Sequence, residues 1–109
     1  MNNRTRKDLL AAADLIEKYG WVKNKEGSCA TGFCAIGAIN KATRDAGAIG
    51  RNLAAGLMLQ AYLHSKGKIG RLGYPSNTLA SWNDWDATTK EEVVAAFRGA
   101  AGEEETDER

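Results

Sequence analysis

Apolar positions recur at helical spacing in four runs along the chain, and polar or glycine-rich stretches separate them. Leu9, Ala12, Ala13, Ile16 and Tyr19 share one face of a first helix, with Lys7, Asp14, Glu17 and Lys18 largely on the other. Thr5 is placed to open this helix as a cap with Asp8 answering three residues on, and Gly20 follows the last apolar position as a left-handed stop. Residues 23–28 are polar, with turn chemistry and no periodicity. Residues 32–40 are almost without charge, and Phe33, Ile36, Ala38, Ile39 and Ala42 cover more than one face. With Thr31 or Gly32 as its cap and small Ala35, Gly37 and Ala38 admitting neighbours, this run predicts a central buried helix packed by the other three.

The third run, residues 52–65, places Leu53, Ala54, Leu57, Met58, Ala61 and Tyr62 on one broad face. Gly56 in its middle costs about 1 kcal/mol relative to alanine, which marks a close helix contact. Leu59 and Leu63 carry the apolar surface further round than one small core easily uses, so either the helix is deeply buried or Leu59 and Leu63 meet a partner, and the two are taken as partner-contact candidates. A glycine-rich basic loop, residues 67–77, leads to Trp82-Asn83-Asp84-Trp85. This is read as an irregular segment whose amide and carboxylate groups tie down backbone N–H groups, with Trp82 and Trp85 as further partner-contacting side chains. Thr88 with Glu91, or Thr89 with Glu92, caps a last helix that buries Val93, Val94, Ala96, Phe97 and Ala100. The fold expected is mainly α: a compact single-domain four-helix arrangement with an irregular Trp-Asn-Asp segment. Residues 1–4 are expected as a flexible N-terminus, 5–101 as the helical domain and 102–109 as an acidic disordered tail.

Composition narrows the function classes. With 43% hydrophobic and 27% charged residues the chain has ordinary globular usage, and a net charge of +1 gives no overall field for nucleic acid or an anionic membrane. No apolar run approaches the roughly 20 residues that span a bilayer. The N-terminal charges are not followed by a signal-type apolar segment, so a cytoplasmic protein without membrane contact is expected. Cys29 and Cys34, with His64 as a further soft ligand, are too few for a structural zinc site, and neither a metal nor a cofactor is expected.

Two chemistries merit residue-level candidates. Cys34 near a helix start, then His64, then Asn83 or Asp84 imitates the nucleophile, base and orienter order of papain-like thiol hydrolases. Lys66, Lys68 and Arg71, aided by Arg4, Arg6 and Lys7, form a basic cluster for nucleic acid or another anion, although the P-loop spacing is absent. Against both stands the absence of any diagnostic catalytic or nucleotide motif, and the excess apolar surface favours a small accessory or regulatory protein that binds a macromolecular partner.

The ordered combination of Tyr19-Gly20-Trp21, the Cys-x-x-Gly-Ala run Cys34-Ala35-Ile36-Gly37-Ala38 and Ala80-Ser81-Trp82-Asn83-Asp84, followed by the Glu91-Glu92-Val93-Val94 helix, resembles a family of small uncharacterised proteins. That family occurs in actinobacteria and their phages, and the resemblance spans most of residues 5–101. It implies an actinobacterial or phage setting, hence a host cytoplasm and a host protein as partner if phage-encoded, and it carries over no catalytic residue.

Overall fold

The computed structural model describes residues 3–23, 25, 27–48, 50–69, 79–87 and 89–102, with the backbone alone at Asn3, Trp85 and Asp86. Four long helices make the fold: α1 (Asn3–Tyr19), α2 (Ala35–Asp45), α3 (Arg51–Ser65) and, after the short α4 (Leu79–Ser81), α5 (Lys90–Ala100). Between α1 and α2 lies a hairpin of two-residue strands, β1 (Gly27–Ser28) and β2 (Gly32–Phe33), antiparallel with Gly27 opposite Phe33. The Trp-Asn-Asp segment is wound as a π-helical turn, Trp82–Asp86, that continues α4.

Both α1 and α3 pack against the other three long helices, α1 the more extensively, whereas the Cys34 helix α2 packs mainly on α1 and α3. This corrects the expected centre. The reason is visible in the side chains: Leu9, Ala12, Ala13 and Ile16 are all fully buried, and adjacent alanines let neighbours approach on two sides. Nor does Thr5 cap α1. The helix already begins at Asn3, Thr5 is buried in it, and the Asp8 carboxylate instead takes both Arg51 Nε (2.5 Å) and Nη2 (2.9 Å) at the start of α3. Arg6 donates from Nε to the Ala101 carbonyl at 2.7 Å, a cation at the end of α5 where free carbonyls and the helix dipole favour one.

Gly20 ends α1 in the left-handed region as expected (φ 105°). Beyond it the chain does something the pattern does not announce. Phe33 donates its N–H to the Gly20 carbonyl (2.9 Å) and accepts from Val22 N–H (3.2 Å), so Phe33 is sheet rather than helix and α2 starts two residues later. Gly32 is indispensable at this crossing: its φ is 95°, and a Cβ there would come within 2.6 Å of the Gly20 carbonyl carbon. Thr89 caps α5, its hydroxyl accepting from Glu92 N–H at 3.1 Å, while Thr88, the alternative cap, lies outside the described residues.

Leu59 (0% exposed), Leu63 (1%) and Trp82 (1%) are core side chains and cannot meet a partner at the folded surface. A helix apolar on every side shows no phase in its sequence, and packing against α1 and α5 selects the Ala55-Leu59-Leu63 stripe for the interior. The excess apolar surface falls on the opposite side, at Leu53 and Leu57. Among the described residues no helix is long and apolar enough to cross a membrane.

Candidate functional site

The outer side of α3 and the adjacent edge of α2 form one candidate surface. From Asn52 to Ser65 the helix carries no Asp, Glu, Lys or Arg, and Leu53 (71% exposed), Ala54, Leu57 (67%) and Ala61 face outward. Beside this ridge runs a groove of about 290 Å³ with Ile36 and Ile39 of α2, Gly56 of α3 and Leu79 of α4 in its walls. Among the described residues a Cβ on Gly56 would touch only Leu79 Cδ1, at 3.7 Å, so this glycine widens the groove and does not mark a tight helix crossing. The tight glycine is Gly99 of α5, against which the Tyr62 hydroxyl packs. At the end of the groove Asn52 Nδ2 donates to Asn40 Oδ1 (3.0 Å), pinning α3 to α2.

A second concavity, about 240 Å³, adjoins the first and shares Ile36, Asn40 and Ala80 with it. Here the sequence-predicted residues Cys34, Asn83 and Asp84 come together, with Lys25 also at the wall. Cys34 is the N-cap of α2, half-buried, in extended backbone (φ −79°, ψ 174°), and its Sγ accepts from Gly37 N–H at 3.2 Å. His64 does not line this pocket; it is exposed in the last turn of α3. Cys29 is exposed on the hairpin turn and is not disulfide-bonded to Cys34. No group of three or more His, Cys, Asp or Glu side chains that could hold a metal ion occurs among the described residues.

Asn83 is the structural centre of this region. Its Oδ1 accepts from Trp21 Nε1 (2.7 Å) and from Ala35 N–H (3.0 Å), while its Nδ2 donates to the Val22 carbonyl (3.1 Å) and Asp84 Oδ1 (3.0 Å). One buried amide therefore holds the chain after α1, the first turn of α2 and the π-helical turn together. The expectation that this segment ties down backbone N–H groups holds for Asn83 at Ala35, whereas the Trp21 partnership carries no sequence signal at a separation of 62 residues.

A third concavity, about 290 Å³, lies where the end of α3 faces α5. Of the basic cluster, Lys66 and Lys68 line it, with Lys66 Nζ 5.6 Å from the Tyr62 ring centroid; Arg71 lies outside the described residues, as does the side chain of Trp85. Its inner wall includes Trp82, whose Nε1 has no hydrogen-bond partner among the described residues. A buried donor left without an acceptor costs about 1–3 kcal/mol, which sets Trp82 apart from the fully satisfied Asn83 next to it.

A mainly helical single domain with grooves along its helices is the class this geometry defines. The chain belongs to a family of unknown function, DUF6197, whose model matches residues 1–103. No curated protein and no solved structure matches it.

Proposed function

We propose that this is a small accessory or regulatory protein that works by binding a macromolecular partner, a protein, through the α2–α3 face. The observation that carries the reading is the pair Leu53 and Leu57, 71% and 67% exposed on a helix whose residues 52–65 are uncharged, beside the groove walled by Ile36, Ile39 and Leu79. Fully covering a leucine is worth about 1.5–3 kcal/mol, so two such side chains at the centre of an interface supply much of a specific contact. The setting we propose is cytoplasmic, in actinobacteria or their phages, with a host protein as partner in the phage case.

The test is affinity capture of the tagged protein from its native cell or host, wild type against a Leu53→Asp/Leu57→Asp variant. A stoichiometric protein retained by the wild type and lost by a variant of unchanged melting temperature is the expected outcome. Equal capture by both would remove the α2–α3 face as the binding surface.

A further inference from the structure

The groove beside α3 is one stretch of a longer channel. Past Asn40 and Asn52 it opens into a further concavity of about 230 Å³ that includes Thr43, Arg44 and Gly50, and past Ile36 and Ala80 it runs into the concavity beside Cys34. Among the described residues none that lines the groove itself is ionisable, and its polar members are the amides Asn40, Asn52 and Gln60. Gln60 has no side-chain hydrogen bond among the described residues, and Asn52 uses only its Nδ2, on Asn40. A side-chain amide both donates and accepts. That matches an extended segment, which presents one N–H and one C=O per residue, whereas a helix has already paired its own.

The charge preference is set at one end. Arg44 is exposed, with neither an ion pair nor a side-chain hydrogen bond among the described residues, and the acid beside it, Asp45, is taken by Lys41 Nζ at 3.0 Å. At the other end Lys25 and Asp84, of opposite sign, both line the concavity, so the selection lies with Arg44. We propose that the partner enters this channel as an extended internal segment, a few apolar residues with an Asp or Glu side chain on the Arg44 side. Its apolar side chains fill the groove against Leu57 and Leu79, its main chain pairs with the Asn52 and Gln60 amides, and its carboxylate meets the Arg44 guanidinium. A channel that continues past both ends of the groove suits a segment passing through better than a chain terminus. The proposal rests on the α2–α3 face being the binding surface and adds what that face reads.

The test selects a phage-displayed random dodecapeptide library on the immobilised full-length protein, and titrates the enriched sequences as end-blocked peptides by fluorescence polarisation. They should share an apolar run with Asp or Glu at one fixed end, and selection on Arg44→Glu should place Lys or Arg there instead. Arg44→Gln should weaken the wild-type peptides by up to roughly fivefold, the scale of an exposed ion pair. Gly56→Leu fills the groove at a helical position where a Cβ is in ordinary contact with Leu79, so it should abolish binding with no fall in melting temperature. An acidic preference that persists on Arg44→Glu would overturn the charge recognition. Peptides that turn helical in the complex by circular dichroism would contradict the extended form, and affinity unchanged in Gly56→Leu would contradict the location. No enrichment at all would sink the peptide channel while leaving the α2–α3 face to the capture experiment. There, a partner lost from Leu53→Asp/Leu57→Asp but kept by Arg44→Glu and Gly56→Leu would retain the face and reject the channel.

Discussion

A thiol is a poor choice for a helix cap, because oxygen side chains accept backbone N–H groups more strongly, yet Cys34 occupies that position on α2 and accepts from Gly37. Its neighbour in space, Asn83, is chosen for a different reason. It must accept from Trp21 and Ala35 and donate to Val22 and Asp84 at once, which a neutral amide can do and an ionised carboxylate cannot. The cap can be probed by replacement. Cys34→Ser preserves an acceptor and should leave the urea midpoint unchanged or raised, while Cys34→Ala leaves a first-turn N–H unanswered and should cost about 1 kcal/mol. If serine proved as harmful as alanine, the sulfur would be contributing packing in the pocket it shares with Asn83 rather than capping. The sequence places Cys34 at a buried face of a longer helix; the structure puts it one position outside a shorter one, half-exposed.

At the scale of elements, α3 shows both what the sequence discloses and where it stops. Its boundaries follow from glycines and composition, and the surplus of apolar surface is plain in a charge-free run of residues 52–65. Which side is surplus is not legible, because inside and outside are both written in Leu, Ala and Met, and only the neighbours decide. Leu59→Ala should therefore cost about 2–5 kcal/mol by emptying core volume, whereas Leu57→Ala, on the exposed face, should stay within about 0.5 kcal/mol of wild type. Chemical denaturation of the two variants checks the phase directly, and comparable losses would contradict it. The amphipathic helices α1 and α5 and the Thr89 cap were readable for the opposite reason: their polar faces supply the phase. The β1–β2 hairpin escaped because strands of two residues are too short to show alternation, and its geometry depends on backbone contacts of Gly27 and Gly32 that no side-chain pattern encodes. Asn83 and Asp84 were legible as a polar knot beside tryptophans; the Trp82 pocket was not, since it unites α3, the π-helical turn and α5.

For the molecule as a whole, the question is what fixes α1 as the hub, and the Asp8–Arg51 pair is the polar part of the answer. Arg51 is the first residue of α3, where the helix dipole disfavours a cation, so its position makes sense only with the carboxylate it faces. Asp8 has a side chain 4% exposed and Arg51 one 26% exposed, and the contact is bidentate. Breaking one half leaves the buried Asp8 carboxylate without its partner, so Arg51→Leu alone should lower the urea midpoint. Replacing both, Asp8→Leu with Arg51→Leu, removes the stranded charge and should recover most of that loss, because an apolar pair of similar volume often matches a buried ion pair in stability. A double-mutant cycle measured by urea denaturation then gives a large coupling between residues 43 positions apart in sequence. Additive single losses would mean that the pair does not hold α3 to α1, leaving the hub to apolar packing through Leu9, Ala12, Ala13 and Ile16 alone.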